Sequence, residues 1–265
     1  MIDRFHTAMT CSPLLLDAAM GTRLMERGLQ LADDDPALWN LSQPEVVAEI
    51  HRRDVEAGAE VLLTNTFGAN RQWLSRFGRA DAFAAINRQA VALARREAGV
   101  NGFVVGSISP VAAEEPGSSR DQAEVLVDAG VDALIFETHR LDQAEIALGQ
   151  LAPHSPVPLL VSLFAWPDSP AEAVRRLADL GASAIGLNCV VGMESALRIA
   201  EALRRVTTLP LIVKPSAGYP GEVMASPASF ALESAGLLAL APILVGGCCG
   251  TNESHVAALR AAWYH

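Results

Sequence analysis

The sequence predicts a (β/α)8 barrel in a single domain spanning residues 1–265. Eight short apolar, β-branched runs recur along the chain, and each is followed by a stretch with helical periodicity. Strands that alternate with helices pair in parallel through right-handed crossovers, and eight such units close on themselves. The length agrees, since 265 residues is close to the roughly 250 of one such barrel. An open doubly wound sheet is the rival, but no glycine-rich dinucleotide fingerprint follows the first run.

The predicted strands are LLLDAAM (14–20), EVLLTNTF (60–67), FVVGSIS (103–109), ALIFET (133–138), PLLVSLFA (158–165), AIGLNC (184–189), PLIVKPSA (210–217) and PILVGGCC (242–249). Amphipathic segments separate them, from PEVVAEIHRRDVEAG after the first to ESHVAALRAAWYH after the last. Several of these helices reach a glycine just before the next strand, so Gly58, Gly130 and Gly181 are placed as left-handed caps.

Hydrophobic residues make up 51% and aromatic ones only 5% of the chain. That is enough for a full core, which excludes intrinsic disorder and a disulfide-stapled mini-protein. With 20 Lys+Arg against 30 Asp+Glu, the net charge of −10 argues against a nucleic-acid partner. Asp17 interrupts the apolar LLL run near the amino terminus, so no signal peptide is read there. LLALAPILVGGCC is too short to span a membrane. The expectation is a cytoplasmic protein with reduced cysteines and small-molecule ligands; whether it oligomerises stays open.

Barrel chemistry sits at the carboxyl ends of the strands, and the unusual polar residues collect there. Asp17 ends the first run, Asn65 and Thr66 the second, Glu137 the fourth, Cys189 the sixth, and Cys248 with Cys249 the eighth. Consecutive strand residues face opposite ways, so the glycines of VGGCCG must bend the chain to bring two thiols to one place. Three thiols from distant strands suit Zn²⁺ with a vacant fourth position, the catalytic rather than the structural pattern. A redox-active vicinal disulfide and an inert core remain as alternatives, and Cys11 reads as a bystander.

Asp17 and Glu137 lie where a barrel wall is apolar, and a buried carboxylate needs a partner. Either each pairs with a basic residue, or both receive a cationic group such as an α-ammonium. The small segment after Asp17, from Ala18 and Ala19 into MGT, then offers backbone N–H groups to a carboxylate. An ammonium-plus-carboxylate ligand is an amino acid. Zinc with three thiolates keeps a fourth sulfur electron-rich, which favours attack by sulfur on carbon over activation of water. These features point to alkyl transfer to an amino-acid thiol.

LLDAAMGTRL, TNTFGAN, IFET, IGLNCVVG, KPSAGYP and VGGCCGTNESHVAAL resemble, in order, the motifs of the homocysteine S-methyltransferase family from about residue 14 to 260. The resemblance implies zinc held by Cys189, Cys248 and Cys249, an amino group near Asp17 and Glu137, and a carboxylate at Ala18 and Ala19. From its place beside Cys189, Asn188 is expected to orient the site or bind substrate, or only to cap the strand end. The resemblance also implies methyl transfer to homocysteine from an activated donor, S-methylmethionine or S-adenosylmethionine, giving methionine. The alternative is a homocysteine- and zinc-binding component served by a separate cobalamin protein. Three departures bear on this: Ala18 stands where the family has glycine, SISPVAAEEPGSSR is short, and KPSAGYP replaces a PNAG-like motif. His51 and His255 read as packing or capping residues, His139 as a rim or loop residue, and Trp39 as a candidate cover over the donor.

Overall fold

The computed structural model describes residues 4–111, 117–218 and 224–264. Eight parallel strands form its sheet: β1 (Leu14–Leu15), β2 (Val61–Leu63), β3 (Phe103–Ile108), β4 (Ala133–His139), β5 (Leu159–Leu163), β6 (Ala184–Val191), β7 (Leu211–Ser216) and β8 (Ile243–Val245). Each pairs with its sequence neighbours, β1 with β8, and a bridge from Leu16 to Val61 brings β1 onto β2. The result is the expected (β/α)8 barrel. All eight predicted strands are present, mostly trimmed at the carboxyl end, where residues leave the ladder to build the rim.

Period-two alternation sorts the strand residues into two cores. Leu14, Leu16, Val61, Leu63, Val105, Ala133, Ile135, Leu160, Ala184, Ile212 and Leu244 fill the barrel interior. Their neighbours Leu15, Leu62, Val104, Leu134, Val161, Ile185, Val213 and Val245 face the helices. Gly58, Gly130 and Gly181 have φ of 108°, 94° and 96°, the left-handed conformation expected of caps at those positions.

A helix that the sequence does not announce, Arg4–Cys11, plugs the amino-terminal end of the barrel with Phe5 and Met9. Phe5 meets Phe103 edge-on with ring centroids 5.1 Å apart. Two turns with a single i, i+4 apolar pair are too short a pattern to be recognised in a sequence.

The first crossover does the most to shape the rim. It holds the helices Met20–Glu26, Trp39–Ser42 and Pro44–Ala57. Arg23 is buried between them and donates to both oxygens of Asp54 at 2.8 and 2.6 Å, and to the carbonyls of Ala18 and Ala19 at 3.2 and 3.0 Å. One buried ion pair therefore fixes the segment that follows Asp17.

His51 confirms the packing reading but at a cost. Both of its ring nitrogens are buried without a hydrogen-bond partner. Burial, with the nearby Arg23 charge, pulls its pKa down to about 3. The unfolded chain therefore binds a proton there that the folded chain refuses, and stability falls as pH drops from about 6.5 towards 3. His51→Leu is expected to gain roughly 1–3 kcal/mol by removing two unsatisfied polar atoms. It should also flatten that acid limb, as read by urea denaturation between pH 4 and pH 8.

Candidate metal centre and polar rim

β8 stops at Val245, and Gly246 and Gly247 turn the chain across the rim. A Cβ on Gly246 would stand 2.6 Å from the Asp17 carbonyl oxygen, and one on Gly247 would collide with the Thr251 hydroxyl. Only glycine permits that approach. Beyond them, the Cys248 N–H donates to the Pro215 carbonyl at 2.9 Å and the Cys249 carbonyl accepts from Ala217 N–H at 2.9 Å. Thr251 donates its hydroxyl to the Cys248 carbonyl at 2.7 Å. The vicinal cysteines are thus sewn to the end of β7, with both thiols brought towards β6.

Cys189 comes to meet them from β6 in a left-handed conformation, φ 60°, where the β6–β7 register shifts. The three sulfurs lie within 4.8 Å of one another, Cys189 and Cys248 at 2.9 Å. Hydrogen bonds from the Cys189 and Cys248 thiols hold Cys249 well below the usual thiol range. Its neighbours Cys248 and Cys249 push Cys189 well above that range. Thiolates packed this closely repel one another, so each further ionisation in the trio is disfavoured. Two metal–sulfur bonds of about 2.3 Å span at most about 4.6 Å, so the group has the size that one ion gathers. Among the described residues it is the only cluster of three or more metal-type ligands.

The acidic residues expected at the rim lie beside it. Asp17 is 3% exposed; its Oδ2 accepts from Leu63 N–H at 2.8 Å, while Oδ1 has no partner. Burial, opposed by Lys214, pushes its pKa up to about 7. Glu137 is already paired, through Oε1 to Lys214 Nζ and through Oε2 to the Ser107 hydroxyl, both at 2.7 Å. Burial disfavours the Lys214 charge, but Glu137 and Asp17 outweigh it and hold the ammonium above its usual pKa.

These groups line one cavity of about 310 Å³. Its polar side holds Asp17, Glu137, Asn188, Lys214 and the three cysteines, and its apolar side Met20, Met25, Leu31, Pro36 and Phe67. Ala18 and Ala19 also line it, but the Ala19 amide donates to Thr251 Oγ1 at 3.1 Å and the Ala18 amide to Asp54. Ala18 does not have positive φ, so alanine is unstrained where the family carries glycine. Asn65 lines the cavity while its amide anchors the Pro36 carbonyl and the Asn40 side chain. Thr66 is spent on the Ser107 carbonyl.

Other expectations shift. His139 is no loop residue: it is buried in β4, edge-on to Phe136. His255 does cap, at Asn252, as expected. Trp39 binds Asp34 at 2.9 Å and packs away from the cavity; the exposed aromatic at the mouth is Phe67. Lys214, Ser107 and Thr138 join the rim without having stood out in the sequence. Lys214 does carry a signal, a charge inside PLIVKPSA at a strand end; the other two carry none. The short segment after β3 includes residues 112–116, and KPSAGYP includes Tyr219 and Pro220, all outside the described residues.

A parallel barrel with a three-thiol, metal-type cluster among buried charges, at the carboxyl ends of its strands, is the class that fold and site define. The homocysteine S-methyltransferase family model matches residues 14–263, and the chain belongs to that family. It is 31% identical to methionine synthase of Mycobacterium leprae across 93% of this chain and 24% of that one. The chain thus spans about a quarter of the methionine synthases it matches. It is 29% identical to homocysteine S-methyltransferase of Escherichia coli across 94% of both chains. The crystal structure of the E. coli homocysteine methyltransferase MmuM in its metallated form superposes with a TM-score of 0.80 at 28% identity, covering 94% and 96% of the two chains.

Lys214→Met leaves Glu137 buried with only Ser107 as partner. It should cost roughly 3–5 kcal/mol in urea denaturation, most of it recovered in the double variant with Glu137→Gln.

Proposed function

We propose that the protein transfers a methyl group from an activated donor to the thiol of L-homocysteine, giving methionine, with Zn²⁺ held by Cys189, Cys248 and Cys249. The observation that carries this reading is the gathering of those three sulfurs within 4.8 Å on the rim. When bound, zinc supplies a Lewis acid that keeps an incoming thiol deprotonated at neutral pH. The remaining work falls to the chain. The open Oδ1 of Asp17 accepts the α-ammonium, a buried acceptor that is otherwise unsatisfied. Glu137, already paired with Lys214 and Ser107, borders the same cavity.

The α-carboxylate is set against the segment from Ala18 to Thr22, which borders the same cavity. The space beside Gly21 is open. Methyl transfer is a displacement in which the homocysteine sulfur forms the new S–C bond while the donor's bond to that methyl breaks. The donor leaves with the electron pair, a neutral thioether if the donor is the sulfonium S-methylmethionine or S-adenosylmethionine. The apolar wall of Met20, Met25, Leu31 and Phe67 suits the body of such a donor and keeps water from the reacting carbon.

A second reading is favoured by the match to methionine synthases of which the chain covers only 24%: the barrel binds homocysteine and receives methyl from a separate carrier protein. Incubation of the purified protein with homocysteine and S-methylmethionine, S-adenosylmethionine or betaine separates the two. Methionine formed without any other protein supports direct transfer. The thiol cluster also calls for a reducing compartment, consistent with the cytoplasm; no helix among the described residues is long and apolar enough to cross a membrane.

Metal analysis is expected to find about one zinc per chain, and Cys249→Ser should lose zinc and transfer together. Asp17→Asn should raise the homocysteine KM roughly 10- to 100-fold, the 1.4–2.8 kcal/mol of a lost charge-assisted bond, with little change in kcat. Since Asp17 loses its proton only near pH 7, the wild-type KM should climb as pH falls below 7. In Asp17→Asn that climb should vanish.

A further inference from the structure

Two non-glycine residues among those described have left-handed backbones, Thr138 (φ 59°) and Cys189 (φ 60°). They sit on β4 and β6, strands separated by β5, and each lies where a ladder shifts register: β4–β5 between Glu137 and His139, and β6–β7 between Asn188 and Val191. Left-handed backbone is unfavourable for any residue with a Cβ and most of all for a β-branched threonine. Strain of this kind persists only where the surroundings over-determine it.

One side chain does so for both. Asn188 Oδ1 accepts from the Thr138 backbone N–H at 2.9 Å and from the Ser162 hydroxyl at 2.9 Å. Its Nδ2 donates to Thr138 Oγ1 at 2.7 Å and to Cys189 Sγ at 3.4 Å. The orientation of the amide is unambiguous, because a backbone N–H can only donate and so must meet the oxygen. The nitrogen is thereby turned towards the thiol. The carboxamide is 2% exposed and fully engaged by protein, although it borders the cavity.

We propose that Asn188 is the positioning residue of the thiol cluster: its one carboxamide locks Thr138 and Cys189 in their left-handed conformations and hands an N–H to the Cys189 sulfur. The left-handed turn at Cys189 aims that thiol at Cys248 and Cys249 instead of along the strand. The N–H donor then draws charge from a sulfur in a crowded anionic group. Outer partners that orient a metal ligand in this way are commonly worth 10- to 100-fold in metal affinity. Asn188 thus serves the site through Cys189 and not by touching substrate. The inference rests on the metal–thiolate reading of the cluster.

The test compares zinc-loaded wild type with Asn188→Ala, Asn188→Asp and Ser162→Ala. Zinc release to a chromogenic chelator and the thiolate-to-metal charge-transfer band after cobalt substitution are read alongside thermal unfolding. Asn188→Ala should release zinc roughly 10- to 100-fold faster and shift the cobalt band. Asn188→Asp keeps the two acceptor contacts but lacks the N–H, and should show both effects as well. Ser162→Ala, which removes one of the contacts that orient the amide, should be intermediate while leaving the fold intact. If Asn188→Ala does not fold, the other two variants decide. Wild-type release rates and an unshifted band in Asn188→Asp and Ser162→Ala overturn the proposal while leaving zinc binding standing. A wild type that binds no zinc overturns the metal reading and this inference together.

Discussion

Three thiols held within 4.8 Å of each other form an electrostatic problem that the rest of the rim is arranged around. They cannot all ionise side by side without a cation, and the hydrogen bonds among them hold Cys249 below the usual thiol range and Cys189 above it. A soft dication removes the conflict and makes proximity favourable. Keeping the sulfurs close before the ion arrives falls to the backbone. Gly246 and Gly247 let the chain after β8 pass against Asp17 and Thr251, and hydrogen bonds to Pro215 and Ala217 fasten it to β7.

The buried charges nearby form an alternating series and not a simple acidic pocket. Ser107 and Lys214 satisfy Glu137, Lys214 also faces Asp17, and Asp17 keeps one oxygen unclaimed. A site with two bare carboxylates would bear the full desolvation penalty for both. Here one is neutralised internally, and the other keeps an open oxygen with its pKa raised by burial. Further from the cavity, Arg23 and Asp54 form an ion pair with no access to solvent that anchors the carbonyls of Ala18 and Ala19. Replacing either member would loosen the segment that carries Asp17.

Much of this is legible in the linear chain because barrels expose their chemistry in a predictable place. Strand and helix periods alternate from Leu14 to Trp263, and polar residues that interrupt apolar runs at strand ends stand out against them. Asp17, Glu137, Cys189, Cys248 and Cys249 stand out in that way, and all line one cavity. Lys214 obeys the same rule and is open to the same reading. Ser107 and Thr138 are not, because a serine or threonine at a strand end is unremarkable until its partner is known. The plug helix Arg4–Cys11 escapes because its apolar pattern is too brief to separate from chance.

Periodicity and the placement of charge and sulfur by themselves determined that the chain is a (β/α)8 barrel with three thiols and two carboxylates on one rim. Those properties are local, written in the spacing of neighbouring residues. Only the tertiary structure decided how the rim residues divide their work: that Glu137 is paired and Asp17 open, that the Ala18 and Ala19 amides are already spent, that Phe67 and not Trp39 borders the cavity, and that Asn188 faces inward to Thr138 and Cys189. The outcomes at Glu137, Ala19 and Thr138 depend on which polar group finds a partner 30 to 232 positions away, and hydrogen-bond competition of that range leaves no trace in local sequence.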